Sequence, residues 1–293
     1  MHLQSRIAAI ILILPLVLIL ASLTIYPFLN MVYMSFHNYD LAKGGDPKFI
    51  GLGNYLAIFQ DRLAVSSVEF TAMLLIIALP LEMLFGMGIA WLFRDFLFGG
   101  RVVRSLILLP MMVPAVVAGI AWKMLFNYNF GPVNYFLSLF GVPNISWLGD
   151  QNFARLGIII IDLWQWTPFV FLVIYSGLQS MPTELVEAAR VDGASAWAVM
   201  RYVELPLLAP LIWIVLIIRL IDILKLFDII YMVTWGGPGS ATHSFSYYIY
   251  KVGLSYGWDV GYASALSIVL LIVVILLVNL LMRILRLRAL LEL

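Results

Sequence analysis

A chain of 293 residues that is 63% hydrophobic and only 11% charged, with a mean hydropathy of +1.03, is not an ordinary soluble domain. Such a domain carries roughly twice that charged fraction. The net charge of +1 gives no reason to expect nucleic acid as a partner, and the lack of cysteine excludes disulfides and thiolate metal sites.

Apolar runs long enough to span a bilayer recur along the chain, so it reads as an all-α integral membrane protein with six transmembrane helices. The short alternating strands of a membrane barrel are not seen. The first span covers about 7–29; it is long for a signal-peptide core and ends at Tyr26-Pro27, which marks a retained helix. A mixed polar stretch follows, with turns at Gly44-Gly45-Asp46-Pro47 and Gly51-Leu52-Gly53-Asn54. Span two covers about 70–93 with Glu82 in its middle, and a basic loop bearing Arg94, Arg101 and Arg104 comes next. Span three, about 105–125, contains Pro110 and Pro114, which should kink it. After a loop with Gly131-Pro132 and Trp147, span four covers about 156–178 and holds Asp162, Gln165 and Pro168. A polar island occupies about 180–206. Span five covers about 207–233, a Gly236-Gly237-Pro238-Gly239 turn follows, and span six covers about 262–282. Residues 1–293 thus read as a single transmembrane domain.

Lysine and arginine set the orientation. With the N-terminus inside, the inner segments hold Arg6, Arg94, Arg101, Arg104, Arg190, Arg201, Arg283, Arg286 and Arg288. The outer segments hold the smaller set Lys43, Lys48, Arg62, Lys123, Arg155 and Lys251. Both termini and the polar island are therefore expected in the cytoplasm of a multi-pass cell-membrane protein.

No G-x-x-x-x-G-K-[ST], H-E-x-x-H or G-x-S-x-G pattern is present, and His2, His37 and His243 are scattered. The chain is not read as an enzyme; if it does work, a partner supplies the energy. The polar island has a definite local design. Ser180 and Pro182 suit a helix start, and Thr183 to Arg190 read as two helical turns with acids early. Asp192-Gly193 breaks that helix. Ser195 caps a second helix through about Val203, which Leu205-Pro206 should end. Ala188 and Ala189 are small enough for another surface to approach closely. Physics alone leaves two readings open, a docking element and an ordinary connector.

The motif itself separates them. Glu187-Ala188-Ala189, Gly193 and Val203-Glu204-Leu205-Pro206 resemble the EAA signature, E-A-A-x3-G-x9-I-x-L-P, of permease subunits in binding-protein-dependent ABC importers, with valine in place of isoleucine. Asp228-Ile229-Ile230-Tyr231, Thr234 and Gly236-Gly237-Pro238 are similar to the carbohydrate-type permeases, of the maltose permease F and glycerol-3-phosphate permease A kind. The resemblance implies a type I ABC importer permease fold. It also implies a coupling helix, carried by Glu187, Ala188, Ala189, Asp192, Gly193, Leu205 and Pro206, that docks on a cytoplasmic ATPase. The implied partners are a second homologous permease, two ATPase subunits that bind ATP and Mg, an extracytoplasmic binding protein and membrane lipid. No cofactor is expected on this chain itself.

Span five carries Arg219, Asp222, Lys225 and Asp228, alternating in sign at intervals of three. Neighbours in that series can pair along one helix, and ionisable groups in a bilayer face partners or a wet cavity. They could line a substrate path or fix helix packing. The resemblance places a sugar between the helices flanking the EAA segment, at Gln165, Phe169, Arg219, Asp222, Ile223 and Leu226; asparagine is typical where Ile223 and Leu226 stand. Glu82 and Asp162 read as polar glue between helices. The charged ladder also admits an alternative, an ion-gradient-driven secondary transporter, although the inverted repeats and broken helices of that class are not apparent in the sequence.

Overall fold

A computed structural model describes residues 2–94, 100–255 and 257–291, with side chains for 12–94, 102–255 and 257–284. The side chains of His2, Arg6, Arg101, Arg286 and Arg288 lie outside the described set. The helices, in chain order, are α1 (His2–Ser35), α2 (Gly53–Gln60), α3 (Arg62–Leu92), α4 (Gly100–Met112), α5 (Ala115–Leu125), α6 (Pro132–Ser138) and α7 (Gln151–Gln179). They continue as α8 (Thr183–Val191), α9 (Ala196–Val199), α10 (Leu205–Leu224), α11 (Asp228–Val233), α12 (Phe245–Tyr250) and α13 (Val260–Leu291). Five described stretches are long and apolar enough to cross a membrane, and the pair α4–α5 would supply a sixth as one bent span.

The chain divides into two compact units. In the first, residues 1–62 and 248–273, α1 runs on to Ser35, past the expected end near Leu29. The end is fixed by side chains: Asn54 Nδ2 donates to the carbonyls of Ser35 and His37 at 2.9 Å each, and the Tyr55 hydroxyl donates to Ser35 Oγ at 2.7 Å. The Asn54 bond to Ser35 satisfies a carbonyl that the helix terminus leaves open. A two-residue hairpin, His37–Asn38 with Lys48–Phe49, follows. The Asp61 carboxylate accepts from the Tyr248 and Tyr262 hydroxyls, so burial and this acceptor both hold the Tyr248 phenol above its usual range. From Leu12 to Leu29 the side chains of α1 are almost all exposed, which suits lipid or a partner chain.

The second unit, residues 63–247 and 274–293, contains α3, α4, α5, α7, α10 and α11. Its core is lined by Phe70, Leu74, Ile158, Phe171, Ile174, Leu208, Val215 and Ile230, all fully buried. Two expected spans are broken here. Span three does not merely kink: α4 and α5 meet at 96° across Val113-Pro114, because Pro114 cannot donate into the preceding turn. Span five ends at Leu224, and Asp228 opens the separate helix α11. The ladder read along one continuous helix is therefore interrupted after Lys225. The Gly236 and Gly239 positions of the following turn have φ of +78° and +64°, as glycine permits.

Helix α11 packs on α5, and a Cβ at Gly119 would stand 2.8 Å from Met232 Cβ. Gly119→Leu should therefore force the two helices apart at a cost of about 1–3 kcal/mol. A thermal melt of the purified membrane protein checks this; an unchanged midpoint would contradict the close approach.

Candidate functional site

The polar island folds as a short amphipathic turn of chain. Helix α8 starts after Pro182, with Glu184 in its first turn and Arg190 in its last, each charge opposing the helix-dipole end beside it. Its exit is a Schellman closure: Ala194 N donates to Ala189 O and Gly193 N to Arg190 O, both at 3.0 Å. Gly193 takes φ +83° with no other group within 4 Å of a would-be Cβ. The glycine is thus required by backbone conformation and not by packing. Ser195 Oγ accepts from Ala198 N at 3.3 Å and starts α9.

Leu205-Pro206 does not end the second helix. A π-helical turn, Met200–Glu204, leads directly into α10, so Ala196–Leu224 is one helical stretch. Leu205 N donates to Met200 O, five residues back, and the widened turn carries the chain into Pro206, which has no N–H to give. Glu187, Ala188, Asp192 and Gly193 are exposed; Ala189 and Leu205 are partly so, and Pro206 is exposed. Around them Val191 is 87% exposed and Trp197 65%, large apolar groups on an otherwise polar surface.

The charged residues of the spans form a different constellation from the expected ladder. Arg219 on α10 sits 1% exposed, with Nε and Nη2 donating to the two oxygens of Glu82 on α3 at 2.8 and 2.9 Å. Nη2 also reaches Asp162 Oδ2 on α7 at 3.1 Å, and the guanidinium stacks 4.6 Å from the Trp166 ring centroid. Asp222, the helical neighbour, is more distant at 3.7 Å and partly exposed. The fork of an arginine suits one bidentate and one single partner, and the ring adds a cation–π contact. Lys225 and Asp228 are exposed and stand apart from this set.

Of the sugar-path positions, Gln165, Arg219 and Ile223 are buried in this conformation, whereas Phe169, Asp222 and Leu226 are partly exposed. Gln165 has a structural task as well: its Nε2 donates to the Val113 carbonyl at 2.9 Å, a group released by the α4–α5 break. Helices α7 and α10 pack together, with Asp162 and Trp166 of α7 against Arg219 of α10. Sequence reasoning did not pair Arg219 with Glu82, which lies in a span distant along the chain; a lone acid in each of two apolar spans was the available signal.

Another buried acid had no signal at all. Glu204, in the variable position between Val203 and Leu205, accepts from Trp91 Nε1 at 2.7 Å and from the Arg94 guanidinium.

The model of the binding-protein-dependent transport system inner membrane component family matches residues 82–290. The chain belongs to that family. It is therefore the membrane component of a transport system, and this weighs against the ion-driven secondary transporter. It is 37% identical over 262 residues to the trehalose/maltose transport system permease protein MalF of Thermococcus litoralis, covering 88% of this chain and 87% of that one. Against the sulfoquinovosyl glycerol transport system permease protein SmoG of Agrobacterium fabrum it is 34% identical over 286 residues, covering 98% and 92%. The sn-glycerol-3-phosphate permease protein UgpA of Escherichia coli O157:H7 is 30% identical over 275 residues, covering 92% and 90%. A crystal structure of a bacterial ABC transporter that imports alginate superposes with TM-score 0.83 at 22% identity, over 98% of this chain and 99% of that one. The fold is thus that of a type I importer permease.

Removing the Arg219 side chain leaves two buried carboxylates without their cation. Arg219→Met should cost about 3–5 kcal/mol, and joint replacement of Arg219, Glu82 and Asp162 by apolar residues should recover much of that. Thermal melts of the parent, the Arg219→Met variant and the triple replacement test this; an Arg219→Met variant as stable as the parent would contradict it.

Proposed function

We propose that this chain is one of two transmembrane subunits of an ABC importer for a sugar, oligosaccharide or polyol, including glycerol-phosphate-like solutes. The solutes that its relatives are named for, trehalose, maltose, sulfoquinovosyl glycerol and glycerol-3-phosphate, support the class. A related solved complex contains a periplasmic protein bound to an alginate pentasaccharide, which supports delivery by an extracytoplasmic binding protein. Residues 1–293 act as one permease domain in the cell membrane with both termini in the cytoplasm.

The observation that carries the coupling role is the segment from Glu187 to Pro206: an exposed helix, a glycine stop dictated by backbone geometry, and uncovered Val191 and Trp197. Two partner ATPases bind ATP and Mg, and one of them grips Glu187, Ala188, Ala189, Asp192 and Gly193. Leu205 and Pro206 join that grip to α10. Closure of the ATPases moves the segment and opens the helix bundle outward; the binding protein releases substrate, and hydrolysis resets the bundle inward. Phe169, Asp222 and Leu226 supply an aromatic face, a carboxylate and an apolar wall to the path. Gln165, Arg219 and Ile223 line it once the α7–α10 interface opens.

Glu187→Lys and Gly193→Ala should leave the permease folded, since Gly193→Ala adds only about 1 kcal/mol of backbone strain. Each should lower ATPase co-purification or ATP-driven uptake about ten-fold, as truncation of an interface anchor does. Wild-type co-purification together with normal uptake would overturn the coupling role. The substrate is found as the small molecule that, with its binding protein, raises ATP hydrolysis by the reconstituted complex; stimulation by amino acids and by no carbohydrate or polyol would overturn the class.

A further inference from the structure

We propose that Glu204 is a positioning residue that ties the coupling segment to α3 and α7, so that its movement reaches three helices and not α10 alone. The proposal rests on the coupling role of the 187–206 segment. Glu204 is 1% exposed, although Arg201 and Tyr202 beside it are exposed. Both of its carboxylate oxygens are engaged from one source, the end of α3: Trp91 Nε1 donates to Oε2 at 2.7 Å and the Arg94 guanidinium to Oε1. The Arg94 carbonyl in turn accepts from Gln179 Nε2 at 3.1 Å, at the end of α7. One acid of the segment is thereby joined to the ends of two spans.

The surroundings make the tie mechanical and not merely adhesive. A cavity of about 230 Å³ between α8 and the pair is lined by Gln179, Glu187 and Arg190, along with Arg94 and Glu204 themselves. A second, of about 330 Å³, lies toward Trp197 and Met200. With open space on both sides, α8 and α9 can tilt while the Arg94–Glu204 pair transmits the displacement. A charge-assisted pair in a buried site is short, directional and stiff. Glu204 also closes the π turn, whose extra residue sets the direction in which the acid points into the α3 end.

The test uses the complete reconstituted complex in proteoliposomes and measures substrate transported per ATP hydrolysed, beside ATPase co-purification. Glu204→Gln should keep co-purification and hydrolysis while transport per ATP falls about ten-fold, the size expected for losing a charge-assisted contact. The swapped pair Arg94→Glu with Glu204→Arg should recover part of it. Trp91→Phe, which removes one bond and leaves the ion pair, should lower the ratio about three-fold. An unchanged ratio in Glu204→Gln overturns the proposal; if that variant does not assemble, an unchanged ratio in Trp91→Phe does so. Failure of the coupling role itself is separable, because it appears as normal ATPase binding and uptake in Glu187→Lys.

Discussion

Three spans of the second unit meet at one guanidinium. Arg219 from α10 reaches Glu82 on α3 and Asp162 on α7, in a place where none of the three can turn to water. A charge buried alone in an apolar span is expensive. Sharing one guanidinium between Glu82 and Asp162 offsets part of that cost, although Asp162 Oδ1 is left without a hydrogen-bond partner among the described residues. The need to satisfy those charges fixes the rotation and depth of each helix against the other two. It therefore governs where Phe169, Asp222 and Leu226 stand along α7, on α10 and at its end.

The same requirement explains the breaks. Backbone carbonyls inside a membrane must find donors within the protein. Where Pro114 splits α4 from α5, the Gln165 amide supplies one; where α1 ends, the Asn54 amide does so. At the entry to α10, a π turn carries the chain past Pro206 without a gap. Polar side chains in this protein thus serve the backbone and one another first. Those left with free surface, chiefly Asp222 and the residues from Glu187 to Gly193, are the ones available for function.

Much of this was legible in the sequence because the physical signals are local. Long apolar runs, Ser195 before α9 and Gly193 after α8 specify their own structure, and the EAA spacing names the segment between them. Span ends and span continuity were less legible. Pro110 and Pro114 announce a disturbance but not a 96° bend. In the span from Leu207 to Val233 the stop at Leu224 is marked only by Lys225 and by Asp228, an acid in the first turn of the next helix. Long-range pairing was legible only in that Glu82 and Asp162 read as polar glue between helices, with no partner specified. The three-residue spacing of Arg219, Asp222, Lys225 and Asp228 favours partners within one helix, yet Arg219 is held by acids on two others. Glu204 lies in a position the motif leaves free, and only the fold brings it to Trp91 and Arg94.

On the proposed function, this membrane chain converts motion received at the 187–206 segment into passage of solute between its helices, with energy from a partner's ATP. Uptake by proteoliposomes holding the full complex tests it most directly. Transport should require ATP on the face that bears the coupling segment and should cease when the ATPase chains are omitted, whatever ion gradient is imposed. Accumulation by this chain and its companion permease alone, driven by a proton or sodium gradient, would contradict it.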